Sequence, residues 1–244
     1  MYEPSTVLGA IDAHTWPIMI GFTLAMVLQN VAMATAVVMT RRECWISIPL
    51  PCTFLWLAHD LGVVVRFDTW FHTYDHWFLK LFWFGLVTAF LLELIFLAQA
   101  IRVGRKEYLP GGTQAQWSAL VLGGAVLFVL AWEYQKTIWD DPLYQALAAT
   151  TLYVLPLAVV PLVLRRRSAI SQSPVIYGSF AAMVPLWWGV TAGAYGEAFR
   201  TWQYLGSGVV AFALLTAIAV WIHLLRSADN TTEPRLDTLA LTAR

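Results

Sequence analysis

Seven long apolar stretches, separated by short polar segments, constrain this chain of 244 residues more than any other feature. A helix needs about 20 apolar residues to cross a bilayer, and it satisfies its own backbone hydrogen bonds where no water is present. We therefore predict an all-α, polytopic membrane protein in the form of a seven-transmembrane-helix bundle. The stretches cover about residues 15–39, 46–66, 77–102, 114–134, 143–164, 174–195 and 201–225.

The composition agrees with a membrane location. Charged residues make up 12% of the chain, against about 25% in soluble domains, and the mean hydropathy is +0.63. A lone early apolar stretch would fit a signal peptide, but the first stretch here is long and six others follow it. Residues 1–226 are predicted to form a single transmembrane domain, and residues 227–244 a polar, disordered cytoplasmic tail.

The basic residues predict the orientation of the bundle. Successive loops fall on opposite sides of the membrane, and Arg and Lys residues favour the cytoplasmic side. One side collects eleven of them and the other four, which predicts an external N-terminus and a cytoplasmic C-terminus. The eleven are Arg41, Arg42, Arg102, Arg105, Lys106, Arg165, Arg166, Arg167, Arg226, Arg235 and Arg244, and the four are Arg66, Lys80, Lys136 and Arg200.

Two carboxyl groups interrupt consecutive apolar stretches. Asp60 lies in IPLPCTFLWLAHDLGVVV and Glu93 in LFWFGLVTAFLLELIFLAQAI. A charge at the centre of a membrane helix costs about 2.5–3.5 kcal/mol on insertion scales, so such residues are candidates for a functional site. A low dielectric favours the neutral carboxylic acid, which can donate a proton. The alternative interpretation is that the two acids only form hydrogen bonds between helices.

The two acids are predicted to lie at similar depths in the membrane. At about 1.5 Å per helical residue, their side chains come within about 8 Å of each other along the membrane normal. Adjacent helices could therefore direct both acids into one interior cavity.

Aromatic residues make up 14% of the chain, and several lie in the middle of a stretch. Ring faces stabilise a desolvated cation by about 2 kcal/mol, so a cavity with aromatic walls would suit a cationic intermediate. Core packing is the alternative for each ring. The clearest examples are Trp56, Trp83, Phe84, Phe90, Trp187 and Trp188.

Other polar groups are assigned structural roles. The histidines and aspartates of residues 66–77 are typical of a solvated interfacial loop rather than a metal site. The sequence Asp140–Asp141–Pro142 is typical of a helix start rather than a magnesium–diphosphate motif. Gln29 and Asn30 are predicted to form hydrogen bonds between helices. The chain has no nucleotide, haem or metal motif, and we predict no cofactor.

Three short patterns follow one another in an order that is known from one enzyme family. Pro49–Leu50 begins eleven positions before the acid of His59–Asp60, Glu93 stands eleven residues before Gly104–Arg105–Lys106–Glu107, and Arg167–Ser168 precedes Gln172–Ser173. With seven apolar stretches and a similar total length, the chain resembles the small integral-membrane terpene cyclases of meroterpenoid and indole-terpenoid biosynthesis, found in fungi and bacteria. The resemblance covers most of the chain.

The resemblance implies a metal-free, protonation-initiated cyclisation of a prenylated epoxide or alkene through carbocations. Asp60 would be the catalytic acid, and Glu93 the second catalytic carboxyl group. The partners would be a lipophilic prenylated small molecule and membrane lipid, with no nucleic acid. The location would be the cell membrane of a bacterium or the endoplasmic reticulum of a fungus. The expected substrate-binding residues are Trp56, His59, Trp83, Phe90, Trp187 and Trp188.

The chain departs from the family pattern in two places. Its acid in the second stretch is Asp rather than Glu, and His rather than Trp precedes it. The second catalytic acid of the family lies in the seventh stretch, where this chain has Thr216, Ile218 and His223. Either one acid suffices, or another carboxylate replaces the missing one: Glu93 first, then Glu133 or Glu197.

Two other classes of function remain open. A proton-coupled transporter also needs acids within the membrane, although the two halves of this sequence show no internal repeat. A structural membrane protein would use the acids to bind partner helices. A retinal photoreceptor is disfavoured because the seventh stretch contains no lysine for a Schiff base.

Overall fold

The computed structural model describes residues 2–139, 141–145 and 148–242, with side chains as far as residue 228. Within these ranges the chain is helical and contains no strand, which confirms the all-α prediction for the described residues. The helices are α1 (Pro4–Ala13), α2 (Thr15–Glu43), α3 (Leu50–Val64), α4 (Trp77–Val103), α5 (Arg105–Tyr108), α6 (Gln114–Trp139), α7 (Val154–Arg166), α8 (Pro174–Ala194) and α9 (Trp202–Thr242). A 3₁₀ turn, Ala148–Leu152, precedes α7.

Six helical segments among the described residues are long and apolar enough to cross a membrane, as a multi-pass membrane protein requires. They are α2, α4, α6, Ala148–Arg166, α8 and Trp202–Ala228 of α9. The second predicted stretch, 46–66, differs because it forms only the 15-residue helix α3. That helix is about 22 Å long, which is shorter than the hydrocarbon core of about 30 Å. Its start is set by Pro49, which disfavours helical backbone in the residue before it.

Helix α3 lies inside the bundle. Eleven of its 15 residues are buried, including Asp60, and it packs against α4, α6, α7 and the 3₁₀ turn. The other helices, α2, α8 and α9, pack side by side, and α2 also contacts α4. The central position of α3 brings its side chains against those of several neighbouring helices.

A buried polar network supports the coil that precedes α3. The Ser47 amide donates to Thr40 Oγ1 over 3.0 Å, and the Ser47 hydroxyl contacts Ser171 Oγ at 2.8 Å. Gln172 Nε2 donates to the Ser47 carbonyl over 3.1 Å, and the Tyr177 hydroxyl donates to Gln172 Oε1. Because buried backbone groups need partners, this network lets a non-helical segment lie inside the protein.

Ion pairs surround the same end of the bundle. The buried Arg166 side chain donates to both carboxylate oxygens of Glu107, over 2.9 and 2.7 Å, and to the Ile46 carbonyl over 2.8 Å. Arg226 of α9 donates to Glu43 at the end of α2 over 2.5 Å. The ends of α2 and α7, the start of α3 and the part of α9 around Arg226 therefore lie together.

The opposite end is closed by a second set of contacts. Asp12 of α1 accepts hydrogen bonds from Trp77 Nε1, over 2.8 Å, and His76 Nε2, over 3.1 Å, and these bonds hold the pKa of Asp12 below its usual value. Lys136 pairs with Asp141 over 3.1 Å, and both side chains are buried. The Tyr2 hydroxyl also donates to Asp141.

The predicted cytoplasmic tail falls almost wholly beyond the described side chains. The last two residues of the segment 227–244 lie outside the described residues altogether. The division into a domain at 1–226 and a disordered tail therefore stays a prediction.

The network before α3 gives a first testable prediction. Replacing Gln172→Ala leaves the Ser47 carbonyl and the Tyr177 hydroxyl without partners, and each buried unpartnered group costs about 1–3 kcal/mol. We expect the melting temperature of the purified protein in detergent to fall. The control is Gln203→Ala on the exposed face of α9, which should change stability by less than about 0.5 kcal/mol. Equal melting temperatures for the two variants would contradict the structural role of Gln172.

Candidate active site

An interior cavity lies between α2, α3, α4, α8 and the 3₁₀ turn. About 50 Å³ of it is open to the centres of water molecules, which is room for a few waters. A larger ligand would have to displace side chains. The lining residues are Gln29, Met33, Trp56, His59, Asp60, Phe82, Leu86, Glu93, Ala148, Ala149, Thr151, Leu152, Phe180, Met183 and Trp187.

Both acids line this cavity. Asp60 of α3 is 3% exposed and Glu93 of α4 is 1% exposed. Their carboxyl groups lie near enough for their charges to interact, and two ionised carboxylates that are close together in a buried site repel each other. No Arg or Lys is among the described residues that line the cavity, so the arrangement favours a protonated state of at least one of the two acids.

His59 fixes the orientation of Asp60. Its Nδ1 lies 2.6 Å from Asp60 Oδ1, and both side chains are buried. The His59 ring meets Trp132 edge-on at 5.6 Å between centroids. If Nδ1 carries the hydrogen, it donates to Asp60 and stabilises the carboxylate that forms when Asp60 loses a proton.

Several buried polar atoms of the lining lack a hydrogen-bond partner in the described part of the chain. His59 Nε2 and Trp187 Nε1 have none. Asp60 Oδ2 and Glu93 Oε2 receive no hydrogen bond from any N–H or hydroxyl group. Buried polar groups are nearly always satisfied, by ordered water where protein is absent. These atoms therefore indicate a cavity that takes water or a polar group of a ligand.

Aromatic rings form much of the wall. Trp56 Nε1 donates to the Thr151 carbonyl over 2.9 Å, and its ring lies 5.4 Å from that of Phe180. On the other side, the rings of Phe82 and Trp187 lie 5.8 Å apart. These contacts place the rings on the wall beside the acids.

Three predicted substrate-binding residues lie away from this lining. Trp83 Nε1 donates to the Val64 carbonyl over 3.3 Å. Phe90 packs against the apolar cluster between α3, α4 and α6. Trp188 donates to the Tyr204 carbonyl over 2.9 Å and stacks on the ring of Tyr204. Trp56, His59 and Trp187 do line the cavity, and the substrate-binding role of all six residues stays a prediction.

The structure separates the three candidates for the second acid. Glu133 pairs with Arg66 over 2.6 Å, and the Glu197 side chain is 90% exposed. Neither lines the cavity, whereas Glu93 does. On α9, Thr216 and His223 are exposed and do not contribute to it. Glu93 is therefore the described carboxyl group that lies beside Asp60.

The sequence interpretation missed part of the lining. Gln29 was assigned to contacts between helices, and it lies on the cavity wall with its Nε2 3.8 Å from Met33 Sδ. The turn Ala148–Leu152 lies inside a stretch that is apolar throughout, so no local signal distinguishes it from the helix that follows. The pair Asp140–Asp141 cannot be assessed as a unit, because residue 140 lies outside the described residues.

Comparison with known proteins adds no assignment: no protein-family model, curated protein or solved structure matches this chain. Among the described residues, no group of three or more His, Cys, Asp and Glu side chains is arranged to hold a metal ion. The function of the cavity must therefore be argued from its own geometry.

The buried acid pair gives a second prediction. At neutral pH the infrared spectrum of the wild-type protein should show the C=O stretch of a protonated carboxyl group, a band that ionised carboxylates lack. Because Asp60 and Glu93 are buried acids that lie close together, the double variant Asp60→Asn/Glu93→Gln should lose this band. The matched control is Glu133→Gln, which removes a carboxylate paired with Arg66 and should leave the band unchanged. A wild-type spectrum without the band would mean that both acids are ionised.

Proposed function

We propose that the protein is a membrane-bound terpene cyclase, which starts the cyclisation of a prenylated substrate by protonating a terminal epoxide or alkene. The observation that carries this proposal is the pair of buried acids, Asp60 and Glu93, on the wall of one cavity that also contains aromatic rings. The order of sequence features that resembles the membrane terpene cyclases agrees with it.

The reaction needs no redox partner. Asp60 gives its proton to a carbon of the terminal alkene, or to the epoxide oxygen as a C–O bond breaks, and a carbocation forms. Neighbouring double bonds attack the cation and close C–C bonds. The last cation loses a proton to a carboxylate of the pair, so the product is an isomer of the substrate and the acid is regenerated. Aromatic faces stabilise the cations by about 2 kcal/mol each, and exclusion of water prevents their capture.

Asp60 is the proton donor and Glu93 its partner. After the proton leaves, the Asp60 carboxylate can accept a hydrogen bond from His59 Nδ1, which lies 2.6 Å from Asp60 Oδ1. Hydrogen bonds to the anion stabilise it, so this arrangement favours proton donation. His59 therefore acts as a positioning residue.

The cavity has to expand around a substrate, because about 50 Å³ is open within it. Met33 and Met183 lie on its wall, and methionine side chains adapt to different shapes at low cost. We expect these residues to move when an isoprenoid chain binds.

We further propose that the chain crosses the membrane seven times, with α3 as the second crossing. The start of α3 lies in the network of Ser47 and Gln172, beside the Arg166–Glu107 pair. The other end of α3 leads to Arg66, which pairs with Glu133 near the opposite end of α6. A helix that joins the two ends has crossed the bundle. The positive-inside rule then places the end of the bundle that contains Arg166 on the cytoplasmic side.

Asp60→Asn tests the proposed reaction. Membranes that contain the wild-type protein should convert farnesylated phenols, with or without a terminal epoxide, to products of unchanged mass. In Asp60→Asn this conversion should fall by about 10²–10⁴-fold, the usual contribution of a general acid, while Asp60→Glu should retain part of it. In D₂O an alkene substrate should gain one non-exchangeable deuterium, whereas an epoxide should gain only an exchangeable one.

The control is Asp68→Asn, because the Asp68 side chain is 92% exposed and its loss should leave turnover unchanged. Wild-type turnover in Asp60→Asn membranes would refute the role of Asp60. Uptake into sealed vesicles that collapses with the proton gradient would instead support the transporter, which also uses acids within the membrane.

The orientation can be tested with the native cysteines. Cys44 is exposed and Cys52 is buried, so a membrane-impermeant maleimide should modify the wild-type protein only after the cells are permeabilised. In a Cys44→Ser background, His72→Cys places an exposed thiol at the proposed external end and should react in intact cells. The opposite pattern would reverse the proposed topology.

A further inference from the structure

A groove between α2 and α4 opens on the outer surface of the bundle. It holds about 580 Å³ of space, far more than the cavity. Exposed apolar side chains such as Val27, Val31 and Leu81 mark its rim, so its mouth faces lipid in the membrane. The buried rings of Phe22, Phe78 and Phe82 form its floor.

Phe82 is shared by the groove and the cavity of the acids. Its side chain lines both spaces, and it is 3% exposed. The ring rests against those of Phe22 and Trp187, with centroids 5.9 and 5.8 Å away. A movement of this side chain would therefore alter both spaces.

Gly85 of α4 makes room for the Met26 side chain of α2 in the middle of the groove. A Cβ atom at Gly85 would lie 2.7 Å from the terminal methyl carbon of Met26, so a larger side chain there would push Met26 into the groove. Asn30 lies on the α2 wall with Met26, where its Nδ2 donates to the Met26 carbonyl over 2.8 Å. Its buried Oδ1 has no partner among the described residues and can accept a hydrogen bond from a hydroxyl group.

The two ends of the bundle offer less room for an apolar molecule. One is closed by the network of Ser47, Ser171 and Gln172, and the other by the buried Lys136–Asp141 pair. To pass either end, a hydrocarbon chain would have to break hydrogen bonds between buried polar groups, at about 1–3 kcal/mol for each group left unpartnered. The lipid-facing groove requires only the displacement of apolar side chains.

We propose that the groove between α2 and α4 is the access route and binding site for the isoprenoid chain of the substrate, with Phe82 as the gate between lipid and the acids. The proposal rests on the proposed cyclase function and adds where the substrate comes from and what admits it. The isoprenoid chain of the substrate dissolves in the bilayer and lies in the groove against its aromatic floor. It reaches Asp60 and Glu93 when the Phe82 side chain moves aside.

The test follows a probe from lipid to the cavity. The full-length protein in phosphatidylcholine vesicles is exposed to farnesol that carries a photoreactive diazirine at its apolar end, and labelled residues are mapped by mass spectrometry. Wild-type protein should be labelled in the groove and at Glu93. Filling the groove with Gly85→Leu should reduce labelling of Glu93 about tenfold. Opening the gate with Phe82→Ala should increase it.

Two further variants keep the test decisive. Thr88→Trp fills the groove from an exposed position and should act like Gly85→Leu even if that variant folds poorly. Gly123→Leu on α6, where a Cβ would meet no atom within 4 Å, should leave labelling of Glu93 unchanged. Unchanged labelling in both filled variants would overturn the access route.

Failure of the route can be distinguished from failure of the function. Label confined to the groove in wild type and in Phe82→Ala would mean that the groove holds only ordinary lipid, which refutes the gate. Asp60→Asn should abolish turnover and keep the labelling pattern. Suppose that turnover depends on Asp60 but that labelling of Glu93 is the same in the groove variants and in wild type. This result would refute the access route and leave the cyclase proposal unaffected.

Discussion

The proximity of the two buried acids, Asp60 and Glu93, imposes the strictest requirement on this structure. An isolated charge inside a bilayer is costly, and two ionised carboxylates close together repel each other, so α3 and α4 must hold the pair where at least one acid can stay protonated. The short helix α3 meets this requirement because protein surrounds it, with α4, α6, α7 and the turn at Ala148–Leu152 packed against it. The coil before α3, with its own polar network, follows from this central position.

Much of the architecture could be predicted from the sequence, because crossing a membrane demands long apolar helices and little else satisfies the backbone there. The short helix α3 could not be predicted in the same way. Ile46 and Ile48 are as apolar as the residues of a membrane helix, yet both are buried in a coil segment. Burial within the bundle and exposure to lipid favour the same residues, so apolarity alone does not distinguish them. Pro49 was the local signal for the boundary.

The acids of the candidate site could be predicted from the sequence, whereas the aromatic residues that line the cavity could not. Asp60 and Glu93 stand out because few acids occur within apolar stretches, and both line the cavity. Trp187 and Trp188 are neighbours in the sequence, yet Trp187 lines the cavity while Trp188 packs on Tyr204. When a helix is apolar on every side, its sequence does not reveal which face turns inward. The inward face is set by the neighbours, which only the tertiary structure supplies.

The polar networks at the two ends of the bundle help to distinguish a cyclase from a transporter. Alternating access would have to open the Ser47–Gln172 network on one side and the Lys136–Asp141 pair on the other in turn, and each opening would expose several buried polar groups. A cyclase can keep both ends closed, because its substrate and product dissolve in the membrane. The proposed route from the groove between α2 and α4 displaces apolar side chains such as Phe82 and leaves both polar networks closed. This difference favours an enzyme whose cavity exchanges with lipid over a transporter.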